Sequence, residues 1–186
     1  MKTALILIDI QVDYFPNGKW ELFGMEAAAQ NAGKLLTGFR ERNLPLFHIQ
    51  HIAKNPDAPF FVAGTHGAEI HESVQPRENE KVIQKEFPNS FLQTSLLDDL
   101  HHDGIEKVVI CGAMSNMCID ATTRAASDFG FKCVVAHDAC AAKELEFLDH
   151  IIPAPEVHGS FMAGLALAYA KVVPTSEAMV LSESKE

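Results

Sequence analysis

The sequence predicts an α/β fold, a parallel sheet with helices on both faces. Short β-branched runs alternate along the chain with longer segments of helical spacing, the pattern of βαβ units. Two of the runs, Ala4–Ile8 and Val108–Ile110, are continuously apolar, as strands covered on both faces are. The length, 186 residues, suits a single domain with its own core.

The elements follow in order. Thr3–Ile8 is the first strand. Met25–Arg42 is a helix with Ala28, Leu35, Leu36 and Phe39 on one side; Asn43 closes it, and Pro45 stands at the start of the next strand, Leu44–Ile49. His51–Pro76 breaks the rhythm. It carries Pro56, Pro59, Gly64, Gly67 and the pair Phe60-Phe61, and long loops in compact domains are often functional. The strand Lys81–Gln84, the helix Leu92–His102 and the strand Lys107–Cys111 come next, with Asp103-Gly104 as the helix stop. A helix over Cys118–Phe129, closed by Gly130, leads to the strand Lys132–Ala136. The helix Pro155–Ala170 and the strand Lys171–Val173 complete the set, and Ser182–Glu186 reads as a free tail.

Composition removes several function classes. Lys plus Arg is 15 against 25 for Asp plus Glu, a formal net charge of −10. Basic clusters for phosphate contacts are missing, so nucleic acid is not an expected partner. No apolar run reaches the roughly 18 residues of a membrane span, and the apolar start is too short for a signal peptide, so a cytoplasmic protein without a membrane partner is expected. The cysteines are Cys111, Cys118, Cys133 and Cys140; no C-x-x-C pair occurs, which argues against a zinc ribbon or a dithiol redox site.

Ligands of open parallel sheets bind beyond the carboxyl ends of the strands. Asp9, Lys85, the turn Gly112–Cys118 and Asp138 all fall at predicted strand ends. Cys118 opens a predicted helix, where the helix dipole favours a thiolate and unpaired N–H groups can hold an oxyanion. Packing alone would explain a small buried thiol, and it explains Cys111 and Cys133, inside strands, better than Cys118. Asp9 read alone is a turn carboxylate, and Lys85 an exposed strand-end lysine. Together the three supply a nucleophile, a base and a cation that could lower both of the others' pKa values.

These residues carry a resemblance. Leu7-Ile8-Asp9-Ile10-Gln11-Val12-Asp13-Tyr14-Phe15 resembles the first motif of the isochorismatase-like cysteine hydrolase superfamily. Lys85-Glu86-Phe87-Pro88-Asn89-Ser90-Phe91, Cys111 to Ile119 with Thr122, Arg124 and Ala125, and Gly67-Ala68-Glu69-Ile70 resemble further elements of that family, in one order along the chain. The resemblance implies a Rossmann-like three-layer α/β/α sandwich around a six-stranded parallel sheet. It implies an Asp–Lys–Cys triad at Asp9, Lys85 and Cys118, a non-proline cis peptide at Ala113–Met114, and an oxyanion hole from the backbone N–H groups of Met114 and Cys118. It also implies a homo-oligomer, a dimer or tetramer. Ser115 departs from the family's usual Thr.

The nicotinamidase branch holds a metal through an Asp-x-His…His pattern after its second strand. Here that stretch reads Phe47-His48-Ile49-Gln50-His51, with no carboxylate two positions before either histidine; His66 and His71 follow in the loop. The expectation is therefore no catalytic metal and no other cofactor. Siderophore-type isochorismatases cleave a vinyl ether without a nucleophilic cysteine, so Cys118 favours C–N hydrolysis of a small amide, carbamoyl or ureide substrate. Ether hydrolysis, or binding without catalysis, is the alternative. Tyr14, Trp20, Phe60, Phe61, Phe87 and Phe91 are candidate pocket residues for a small flat substrate, with core packing as the competing reading.

Overall fold

The computed structural model describes residues 1–182. The elements are β1 (Thr3–Ile8), α1 (Met25–Glu41), β2 (Leu46–His51), β3 (Lys81–Lys85), α2 (Leu96–His102), β4 (Lys107–Ala113), α3 (Asp120–Asp128), β5 (Lys132–Ala141), β6 (Leu145–Phe147), β7 (His150–Ile152), α4 (Ala154–Ala168), β8 (Lys171–Val173) and α5 (Thr175–Leu181). Six strands form one parallel sheet in the order β3-β2-β1-β4-β5-β8.

Alternation along β1 divides the core. Leu5 and Leu7 face α1, packing with Ala28, Ala32, Leu35, Leu36 and Phe39 at helical spacing, and Ala178 of α5 joins them. Ala4, Ile6 and Ile8 face the other way, toward Leu96 and Leu100 of α2, Ala126 of α3, and Met162 and Leu165 of α4. The result is an α/β/α sandwich. Among the described residues no helix is long and apolar enough to cross a membrane.

Several boundaries differ from expectation. Proline lacks the N–H a ladder needs, and β2 begins after Pro45, whose carbonyl accepts from Leu5 N. Residues 92–95 are not in α2. There the chain folds on itself, with Thr94 Oγ1 donating to the Ser90 carbonyl and Phe91 N to Asn89 Oδ1. β5 runs on to Ala141, because its register with β4 jumps from Ile110↔Val135 to Gly112↔Cys140. Asp138 lies in this offset stretch, and its carboxylate accepts from Thr175 N and Oγ1 at 2.7 and 2.6 Å, capping α5. The β6–β7 hairpin and α5 have no counterpart in the sequence expectation. Ser182 is buried and its hydroxyl donates to Met179 O, so it is not part of a free tail; residues 183–186 lie outside the described residues.

Strand order reverses between β1 and β4, which places the predicted ligand crevice beyond the carboxyl ends of these two strands. β4 passes the end of β1 very closely. Gly112 has φ +123°, and a Cβ there would lie 1.9 Å from the Ile8 carbonyl oxygen, so only glycine fits.

Candidate active site

Asp9 follows β1 directly and takes a left-handed φ of 51°. Lys85 is the last residue of β3, paired with His51 at the end of β2. β4 runs into a cis peptide at Ala113–Met114 and then a single π turn over Ser115–Ile119, closed by Ile119 N donating to Met114 O, five residues back. Such π turns recur at functional sites. Cys118 lies in that turn, ahead of α3.

Three elements therefore meet at one ammonium. Lys85 Nζ donates to Asp9 Oδ2 at 2.6 Å and to Cys118 Sγ at 3.2 Å, and His51 Nδ1 lies 3.2 Å away. The Asp9 and Lys85 side chains are both fully buried. Burial works against the charge on Lys85, but Asp9 and then Cys118 outweigh it and hold the ammonium above the ordinary lysine value. Burial, then the coulombic influence of Lys85, keeps His51 below its usual value and hence neutral near pH 7. With an ammonium against Nδ1, its proton belongs on Nε2.

Cys118 departs from the thiolate that its position before a helix suggests. Burial, then the charge of Asp9, pushes its pKa far above an ordinary thiol; Lys85 opposes this without reversing it. The resting nucleophile candidate is a thiol beside a carboxylate, and its S–H can be removed by Asp9.

Gln11 and Asp13 escaped the sequence reading as site residues. Gln11 Oε1 accepts from His51 N at 2.8 Å, and its Nε2 donates to the carbonyls of His51 (2.9 Å) and Ala68 (2.8 Å), clamping the His51 backbone. Asp13 accepts from Phe61 N at 2.8 Å and Lys19 N at 3.2 Å. A Cβ at Gly67 would meet the Asp13 carboxylate at 2.1 Å, so the loop after β2 closes over this acid only with glycine there. Their signal was two polar residues spaced by two and four from Asp9, in a stretch that is otherwise apolar. Ser115, the departure from the family pattern, bridges Ala141 O (3.1 Å) and His158 Nδ1 (2.8 Å).

The aromatic candidates separate. Tyr14 packs on Phe61 (ring centroids 4.5 Å) and Phe60 (5.6 Å), Trp20 on Phe60 (4.9 Å), and Phe61 approaches His51 (6.0 Å). These four form one wall reaching the Lys85 cluster. Burial, and after it the proximity of the acidic groups Cys118 and Asp9, raises the Tyr14 phenol, which places the ring beside the cluster. Phe87 is partly exposed beside a cleft of about 210 Å³ that Lys85, Ile52 and Leu92 also line. Phe91 is not brought to this end. The folded stretch after Asn89 turns it into the core, against Phe129 (5.2 Å) and Phe131 (6.4 Å) at the amino end of β5.

The histidines separate too. His48 is buried against Glu80 (3.1 Å), His66 meets Glu69 (2.8 Å), and His71 stacks on Phe15 (3.6 Å). Among the described residues, His51 is the histidine that joins Asp9 and Cys118, and one donor atom from each of the three lies within 4.8 Å of the others.

Comparison with known proteins agrees with this architecture. The model of the Isochorismatase domain matches residues 3–155. The isochorismatase family protein YddQ of Bacillus subtilis is 53% identical over 180 residues, covering 97% of this chain and 99% of YddQ. Maleamate amidohydrolase of Pseudomonas putida is 30% identical over 151 residues, 74% of this chain and 71% of the enzyme. A solved structure from Oleispira antarctica superposes with a TM-score of 0.93 at 49% identity, covering 96% of both chains. With the parallel sheet, the motif order and these matches in agreement, the chain belongs to the isochorismatase-like hydrolase superfamily.

Proposed function

We propose that this chain hydrolyses the C–N bond of a small amide, carbamoyl or ureide substrate through a thioester on Cys118. The observation that carries the reading is the single Lys85 ammonium, which holds a buried carboxylate at 2.6 Å and a buried thiol at 3.2 Å. Similarity to an amidohydrolase, maleamate amidohydrolase, supports the same chemistry.

The steps follow from the resting state. The substrate carbonyl enters beyond β1 and β4. Sγ bonds to the carbonyl carbon as its proton passes to Asp9, whose Oδ1 is buried and unpartnered. Lys85 balances the charge that moves between sulfur and carboxyl. The carbonyl oxygen becomes an oxyanion facing the backbone N–H groups of Met114 and Cys118; one such donor is worth roughly 3 kcal/mol in related acyl transfers. Asp9 returns the proton to nitrogen, the C–N bond breaks and ammonia or an amine leaves. Water then gives a proton to Asp9 and attacks the thioester. The C–S bond breaks, and the sulfur regains the proton.

In the aromatic wall, Tyr14 and Phe61 are fully buried in the core, so Trp20 and Phe60, which are only partly buried, are its members left to meet a small flat substrate. Ammonia release from a panel of small amides and ureides, compared between wild type and Cys118→Ala, tests the proposal. Release by wild type alone is expected. Equal rates in the variant would refute it, and vinyl-ether cleavage by the variant would favour the other branch of the superfamily.

A further inference from the structure

We propose that Asp9, His51 and Cys118 form a transition-metal cage whose seat is filled by the tethered ammonium of Lys85, so that the chain holds a latent Zn²⁺- or Co²⁺-type site that opens when this head group is removed. The inference rests on atomic positions alone and stands whether or not Cys118 is a nucleophile.

The ligand set comes first. A carboxylate oxygen, an imidazole nitrogen and a thiol sulfur, one from each residue, lie within 4.8 Å of one another. Oxygen, nitrogen and sulfur donors in one cluster suit zinc and cobalt, with bonds of about 2.0–2.3 Å. The Lys85 nitrogen lies 2.6 Å from Asp9 Oδ2 and 3.2 Å from both Cys118 Sγ and His51 Nδ1. An ammonium has three N–H donors, and here three acceptors surround it. Replacing it by a metal requires each ligand to close in by roughly 0.5–1 Å.

The cage also has a surplus acceptor. Asp9 Oδ1 is buried and has no hydrogen-bond partner, so the ammonium leaves one donor atom of the cluster unused. The walls are held in place. Gln11 pins both the N–H and the carbonyl of His51, and the His51↔Lys85 pairing fixes the two strand ends against each other. The occupant is held too, because the Lys85 side chain is fully buried and leads from the end of a paired strand. A metal entering the wild-type protein must displace a buried cation from its counter-charges and strip the thiol proton. Loss of the lysine head group removes the first obstacle and leaves the buried Asp9 carboxylate without its counter-charge.

The test is cobalt titration of reduced protein, read by the thiolate-to-Co²⁺ charge-transfer band and the visible d–d bands. Lys85→Met is expected to bind a single Co²⁺ per chain at least about 100-fold more tightly than wild type. The charge-transfer band should vanish in Lys85→Met/Cys118→Ser, and binding should weaken in Lys85→Met/His51→Gln. Lys85→Gln serves as a second variant if the methionine form does not fold. A folded Lys85 variant that shows no band at millimolar Co²⁺ overturns the proposal. So does a wild-type protein that itself shows the band at low-micromolar Co²⁺ and loses it in Cys118→Ser, an arm that needs no lysine variant at all.

Discussion

Asp9→Asn should separate the two influences of this carboxylate on Cys118. The Asp9 donor atom lies within 4.8 Å of the cysteine sulfur. At an effective dielectric of about 20, two unit charges at that distance repel by roughly 3.5 kcal/mol, or about 2.5 pKa units at 1.36 kcal/mol per unit. Asparagine removes that repulsion, while the Lys85 ammonium remains 3.2 Å from the sulfur. The apparent pKa of Cys118 should therefore fall by about 2–3 units. A weaker base is also a weaker nucleophile, so alkylation near pH 8 should rise only about 20-fold, not by the several-hundred-fold gain in thiolate. Turnover should move the other way, falling by roughly 10²–10⁴ with loss of the proton acceptor. Iodoacetamide labelling across about pH 6–10, followed by peptide mass spectrometry, reads the first effect, and ammonia release reads the second. An unchanged or slower alkylation rate would refute the electrostatic reasoning. Retained turnover would refute the assignment of Asp9 as base.

Other expectations follow from the same structure. Burial-opposed hydrogen bonding, chiefly from Arg40, draws the Glu80 carboxyl from 4.5 down to about 2, so its stabilisation is present above pH 4.5 and is lost as pH falls through 2. Glu80→Gln should then cost about 2–3 kcal/mol at pH 7, lower Tm by roughly 5–10 °C and flatten the acid limb in calorimetry; an unchanged Tm at neutral pH would contradict this. Gly112→Ala forces a side chain against the Ile8 carbonyl at positive φ, and denaturant titration should show a loss of at least about 3 kcal/mol or no soluble protein. Phe147, Leu148 and Ile151 are exposed on the β6–β7 hairpin, a two-stranded ribbon with little stability of its own. A dimer or tetramer is expected in light scattering, reduced toward monomer by Phe147→Glu/Ile151→Glu; a wild-type monomer at micromolar concentration would contradict it.

What could be read in the sequence was what rests on long periodicity. The residues of β1 announce themselves by six consecutive apolar or β-branched positions, and α1 by its buried stripe from Met25 to Phe39. The order Asp9, Lys85, Cys118 was readable because each ends or follows a strand with a clear pattern. The β6–β7 hairpin was not, because three-residue strands show no period, and its turn uses Leu148 and Asp149 at positive φ in place of Asn-Gly. The extension of β5 depends on an offset against β4 that only pairing reveals. Phe91 looked like a pocket residue from its neighbours in sequence, but the turn held by Thr94 and Asn89 sends it to the opposite end of the sheet. The state of Cys118 was hidden for a related reason. A helix start favours a thiolate, whereas burial and an adjacent carboxylate, both consequences of tertiary packing, outweigh that preference.

The covalent intermediate is open to direct observation. Wild-type protein mixed with the amide and ureide panel, acid-quenched during turnover and digested, should yield an acyl adduct on the Cys118 peptide whenever ammonia is released, and neither signal should arise from Cys118→Ala. Ammonia release without any adduct at Cys118, undiminished in Cys118→Ala, would contradict catalysis through this cysteine.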